Sequence, residues 1–194
     1  MTEIWKSIEL KLKEIAPDIL GNLNNGVTDI EVENLEKLIN AKLPVDFIEF
    51  YKTHNGQTNG SAGLIECEEL LSFERIEDEW KVWKDLLDSK TFEDNNGPYT
   101  STPDNGIKSD WWNALWIPIT HDGSGNHYCL DLDPTNEGKY GQVIRMWHDD
   151  AERSLTASSF IQWIIIYKDK LVDGQLLYSE DYFGIIDKDD IGEE

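Results

Sequence analysis

Apolar residues recur at helical spacing in the first half of the chain and at strand spacing in the second. Ile4, Ile8, Leu12 and Ile15 form one stripe, with Trp5 and Lys11 beside it, predicting a helix over 3–20 with Pro17 near its end. Gly21 to Gly26 has loop composition. Thr28 followed by Glu31 has the spacing of a capping box, and Ile30, Leu35, Leu38 and Ile39 predict a helix over 29–41. Pro44 is suited to the first position of a third helix, with Phe47, Ile48 and Tyr51 inward and Asn55-Gly56 as its stop. From Glu68 to about Asp88 the pattern is helical again, with Trp80, Trp83, Leu86 and Leu87 on one side of a charged segment.

Residues 89–113 carry Asn95-Asn96-Gly97-Pro98 and Thr102-Pro103-Asp104-Asn105-Gly106, and predict a long loop insertion. Beyond it, Leu115–Ile119, His127–Leu132 and Gln142–Trp147 are short β-rich runs joined by turns, as in an antiparallel meander. Pro118 assigns the first run to an edge or a bulge, and Trp116 and Trp147 are candidates to pack on one face. Thr156 is the expected cap of a last helix to about Leu171, with Phe160, Ile164 and Tyr167 buried. No internal repeat is visible. Helices, then strands, then a helix define an α+β class: one domain over 1–172 followed by an acidic extension over 173–194. In that extension 176–186 is expected to dock on the domain and the end, from Asp187, to fray.

Charge adds the next layer. The 194 residues hold 17 Lys+Arg against 39 Asp+Glu, a net charge of −22, with 8 Trp, 7 Tyr and 6 Phe. Segments 61–113 and 173–194 carry −8 and −7 of it. Such a chain repels phosphate backbones and anionic bilayers, so nucleic acid and membrane are set aside as partners and a basic protein is expected. Two cysteines, Cys67 and Cys129, give no disulfide framework, and neither a signal peptide nor an apolar run long enough for a bilayer is present, so a cytoplasmic setting is expected.

Candidate chemistry is sparse. His127 and Cys129 share a strand face, with His121, His148 and several carboxylates near in sequence, but paired ligand spacing is missing. Asp122-Gly123-Ser124-Gly125-Asn126 departs from a calcium loop at positions six and twelve, and Ser124 lacks the context of a nucleophile elbow. Neither an enzyme, a metal nor a cofactor is expected. Trp80 and Trp83 read as core anchors. Trp111 and Trp112 are adjacent, so one of them is expected in a loop or exposed, which marks the edge of 89–113 as a candidate contact surface.

Three motifs in order carry a resemblance. They are Leu43-Pro44 through His54-Asn55-Gly56; Trp116-Ile117-Pro118-Ile119 with Asp122-Gly123-Ser124-Gly125-Asn126 and Cys129-Leu130-Asp131-Leu132; and Gly141-Gln142-Val143, Trp147-His148-Asp149 and Ser158-Ser159-Phe160. Across roughly 28–172 this resembles the SUKH superfamily, which includes the yeast cell-wall-assembly regulator domain and many bacterial toxin-immunity proteins. The resemblance implies a mostly antiparallel sheet backed by helices, no catalytic residues, and action by binding. With the charge, it leads to the expectation of an immunity protein that neutralises a nuclease-type toxin, the alternative being a regulatory scaffold of the cell-wall kind. The candidate partner-binding residues are Glu66, Glu68, Glu69, Glu77, Asp78 and Glu79, Trp111 and Trp112, with Asp149 and Asp150 second.

Overall fold

The computed structural model describes residues 1–192. The N-terminal amphipathic segment is two helices, α1 (Thr2–Ile15) and α2 (Pro17–Gly21). Pro17 cannot continue α1, so Ala16 leaves helical geometry and Pro17 opens α2. Helix α3 (Asp29–Ile39) has the complete Thr28/Glu31 capping box, and Asn40 closes it in the left-handed conformation. In α4 (Val45–Tyr51) Pro44, the expected first residue, is the cap instead, so the helix starts one position later. Phe47 and Tyr51 are buried, while Ile48 is only partly so.

The segment at Glu68 is extended rather than helical. Gln57 Oε1, buried, accepts from the backbone N–H of both Leu64 and Leu70 at 3.0 Å, which holds the chain open there. Strand β1 (Glu69–Leu70) follows, and α5 (Phe73–Asp88) starts only at the Ser72 cap. Trp80 and Trp83 are buried on α5, as their spacing requires.

Residues 93–98 form a small hairpin, β2 (Glu93–Asp94) with β3 (Gly97–Pro98), and β4 (Thr102–Pro103) joins the main sheet. The sheet is completed by β5 (Trp116–Pro118), β7 (His127–Asp131), β8 (Gln142–Met146) and β9 (Glu152–Ala157), in the order β4-β9-β8-β7-β5. Every pairing is antiparallel except β4 with β9. Pro118 sits on the edge strand, where a missing N–H is tolerated. Strand β6 (Thr120–His121) pairs with β1 instead.

Strand β9 corrects the expectation that Thr156 caps a helix. Its mostly polar sequence gives no apolar alternation, yet Arg153 and Ala157 point inward and are buried. The last helix, α6 (Phe160–Val172), is capped by Ser159 Oγ, which accepts from Gln162 N–H at 3.3 Å. Trp116 and Trp147 do not share a packing contact face: Trp116 pairs across to Asp131 and Gln142, whereas Trp147 follows Met146 at the far end of β8.

Two layers enclose the sheet. On one face Trp163 of α6 meets Tyr128 at 5.3 Å between ring centroids, and α6 in turn packs on Phe47 and Phe50 through Phe160. On the other, Trp83 of α5 meets His127, and the 99–113 segment covers Arg153. That segment is therefore a built cover. Ile107 and Trp112 are buried, and Trp112 stacks on Trp83 at 6.0 Å. Arg153, fully buried, donates from Nη2 to Trp111 O at 2.7 Å and from Nη1 to the carbonyls of Asp150 and Glu152 at 2.6 Å.

The C-terminal segment docks as a hairpin, β10 (Leu176–Ser179) with β11 (Gly184–Asp187). Gly63 and Gly184 lie side by side: Gly63 N–H donates to Phe183 O, and Ile185 N–H donates to Gly63 O, both at 2.9 Å. Leu176, Ile185 and Ile186 are buried. Lys188–Asp190 form a 3₁₀ turn, so the chain is ordered past Asp187; Glu193 and Glu194, part of the end expected to fray, lie outside the described residues. Among the described residues no helix is long and apolar enough to cross a membrane.

Candidate protein-interaction site

A tight turn brings the first candidate acids to the sheet. Ile65 and Glu68 exchange backbone hydrogen bonds across Glu66 and Cys67, whose φ values of +49° and +63° follow the pattern of a type I′ turn. Neither is glycine, so each costs of order 1–3 kcal/mol in backbone strain. Packing against β11 sustains it, with Cys67 N–H donating to Ile185 O at 2.8 Å. Burial, then the charges of Glu66 and Glu68, push the Cys67 thiol up.

The turn points Glu68 inward and Glu66 outward. Glu68 is buried; its Oε2 accepts from the Thr120 hydroxyl at 2.6 Å, and its Oε1 lies 2.5 Å from Arg145 Nη1. Burial pushes the Glu68 carboxyl up to about 7, against the opposing pull of Arg145 and Thr120. Arg145 is itself held between rings, 4.6 Å from the centroid of Tyr128 and 4.2 Å from that of Trp147. Glu66 is exposed and its Oε2 accepts from the Tyr128 hydroxyl. A cleft of about 330 Å³ opens here, between the end of β8, the Glu66 turn and the C-terminal hairpin, which contributes Tyr182, Ile186, Asp187 and Asp190.

The remaining candidate acids fall elsewhere. Glu69 and Glu79 converge on Arg75, at 3.5 and 2.7 Å, and Glu79 lies 3.8 Å from His121 Nε2. Glu77 pairs with Lys81 at 2.7 Å on the outer side of α5, next to the exposed Asp78. Asp149 and Asp150 are exposed in the β8–β9 turn, where Asp150 Oδ1 accepts from Glu152 N–H at 2.9 Å. Glu68 and Trp112 are buried in the domain, Glu68 meeting only the inside of the cleft; their charge and ring area are spent on Arg145 and Trp83. Trp111 is half-buried, edge-on to Tyr99 and over the buried Arg153. The ten candidates thus do not form one patch, and only Glu66 and Glu68 reach the cleft.

Arg145, Trp147, Tyr182 and Asp190 escaped the sequence reading as site residues. Arg145 and Trp147 are two apart on an extended run and so share a side, a signal present in the sequence. The contribution of the hairpin had no such signal.

The histidine and cysteine pair on β7 has other work. His127 Nδ1 lies 2.7 Å from Thr120 O, and its Nε2 accepts from the indole N–H of Trp83 at 3.0 Å, which uses both ring nitrogens. Cys129 is fully buried, and burial pushes its thiol up. Both cysteines are free thiols.

The domain is thus a mixed α+β fold with an aromatic and charged cleft beside one end of its sheet. A family profile described as the SMI1 / KNR4 family (SUKH-1) matches residues 26–166, and the chain belongs to that family. It is 27% identical to the "Cell wall biosynthesis/cell cycle regulator smi1" of Schizosaccharomyces pombe over 191 residues, covering 93% of this chain and 38% of that protein. It is 25% identical over 209 residues to the "Glucan synthesis regulatory protein" of Neurospora crassa, with 91% and 39% covered. With the "Cell wall assembly regulator SMI1" of Saccharomyces cerevisiae it shares 22% over 214 residues, 92% and 42% covered. The chain thus spans about two fifths of the length of these relatives.

Proposed function

We propose that this chain is a non-catalytic regulatory module of the cell-wall-assembly-regulator kind, working in the cytoplasm by holding protein partners. The observation that carries the reading is the match to fungal regulators, which covers 93% and 92% of this chain. Such a role places no demand on a nucleophile or a metal. It demands a stable scaffold with a persistent surface, and the double-faced sheet supplies one. The net charge of −22 favours basic partners through long-range steering, which raises association rates at low salt. The same charge also suits a toxin-immunity role, in which the partner is a nuclease-type toxin; the fungal relatives weigh toward the regulatory role.

The test is a chimera of the Saccharomyces cerevisiae relative in which this chain replaces the matched segment. Cells carrying it in place of the native protein are expected to grow on a wall-perturbing dye as cells with the native protein do. Growth no better than that of cells lacking the relative, with the chimera present at normal abundance, would overturn the regulatory reading. Tight one-to-one capture of a nuclease-type toxin by the chain would install the immunity reading in its place.

A further inference from the structure

We propose that the cleft beside Arg145 receives an arginine side chain from a protein partner. This rests on the binding role proposed above and names the chemistry of its partner.

The walls of the cleft are of two kinds. Trp147, Tyr182 and Ile186 offer aromatic and aliphatic surface, with Tyr182 45% exposed. Glu66 and Asp190 offer carboxylates that have no cationic partner among the described residues. The other charges of the cleft are already matched. Arg145 faces Glu68 at 2.5 Å, and Asp187 is held by Lys170 at 2.9 Å. Each internal cation is thus used by an internal anion, and the surplus is negative. An anionic ligand would meet uncompensated carboxylates, whereas a cation would neutralise them.

The flat walls select among cations. A guanidinium is planar, weakly hydrated and forked, so it stacks on rings while donating to a carboxylate; an ammonium does neither as well. Arg145 already displays this preference in the same place, lying over Trp147 and Tyr128. The volume, about 330 Å³, lies at the small end of binding pockets, enough for one side chain with adjoining backbone rather than a large metabolite. The Glu66 turn is pinned by the Gly63–Gly184 contact, so the carboxylate is positioned before a partner arrives.

The experiment titrates the full chain with acetyl-Gly-Arg-Gly-amide and, separately, with the lysine and glutamate counterparts, up to tens of millimolar. The readout is the indole N–H resonance of Trp147, assigned by its loss in Trp147→Phe, together with the backbone amide of Glu66. The arginine peptide is expected to shift both saturably, with affinity several-fold above the lysine peptide and no saturable shift from the glutamate peptide. Glu66→Gln with Asp190→Asn, both at exposed positions, is expected to weaken arginine binding at least fivefold while the remaining spectrum is unchanged. Absence of saturable shifts at Trp147, equal response to lysine, preference for glutamate, or unchanged affinity in the double variant would each overturn the proposal. A chimera that supports growth while the chain ignores the arginine peptide overturns the cleft alone. A chain that binds the peptide in a chimera that fails overturns the regulatory role alone.

Discussion

The indole N–H of Trp83 donates to Nε2 of His127 at 3.0 Å, which places the imidazole proton on Nδ1, where it is donated to Thr120 O at 2.7 Å. Protonation of His127 would put two N–H groups face to face inside the core. Burial is the largest influence, and it lowers His127 from 6.5 to about 4.

Stability is therefore expected to depend on pH through two opposed groups. The unfolded chain protonates His127 near 6.5 and the fold only near 4, so His127 removes up to ~3 kcal/mol as pH falls through that window. Glu68 has the opposite sign. Its folded carboxyl keeps a proton up to about 7 against 4.5 when unfolded, so its contribution grows on acidification from 7 to 4.5. Urea unfolding at neutral pH and at about pH 5 should show that His127→Gln loses less stability on acidification than the wild type does. An identical change in both would remove His127 from this balance.

The Glu68–Arg145 pair should separate buried from exposed acids. Arg145→Ala leaves the buried Glu68 carboxyl with Thr120 as its partner and drives it further toward its protonated form, at an expected cost of about 1–3 kcal/mol, and Glu68→Lys, which sets a second cation against Arg145, should cost more. Removing both partners, Glu68→Met with Arg145→Met, should cost less than the sum of the single changes. Glu77→Lys and Asp78→Lys, on the outer side of α5, should move stability by no more than about 0.5 kcal/mol. Chemical denaturation of the set measures all of these.

Gly184 sits where a Cβ would lie 2.7 Å from Cys67 Cα and 2.8 Å from Gly63 O. Gly184→Ala is expected to pry the C-terminal hairpin from the Glu66 turn, costing about 2 kcal/mol. Amide exchange at Cys67 and Ile185, whose N–H groups bridge the contact, should accelerate most. Gly21→Ala, with open space around its Cβ position, is the control and should be near neutral.

Arg153 fastens the cover over the second sheet face through Trp111 O, while its other two acceptors, Asp150 O and Glu152 O, lie at the start of its own strand. Arg153→Leu leaves those acceptors without a donor, at about 1–3 kcal/mol each where water cannot reach them. Loss of exchange protection over 99–112, with β7 and β8 still protected, is the expected signature. Uniform loss across the sheet would mean that the cover and the sheet unfold as one.

The local chemistry of the chain was legible from its residues. The Thr28/Glu31 box, the Trp80/Trp83 stripe and the β5, β7 and β8 runs follow from spacing and capping chemistry that act within a few residues. The misread elements are those whose local pattern is overruled from a distance. Glu68–Leu71 is extended because Gln57 and β6 hold it so, and β9 is a strand although its residues are largely polar. Residues 89–113 looked like a loop because a cover anchored by one buried arginine needs few apolar residues of its own.

The sequence by itself determined an acidic α+β domain with a meander, its resemblance to a binding family, and the absence of ligand spacing for a metal. Only the tertiary structure decided which charges are spent internally and which are left to meet a partner. Glu68 is joined to Thr120 and to Arg145 across 52 and 77 positions of chain, and the hairpin that completes the cleft lies further on still. Periodicity reports the side of an element on which a residue lies. Whether a carboxylate there faces water, a guanidinium or a ring is set by the pairing of distant strands.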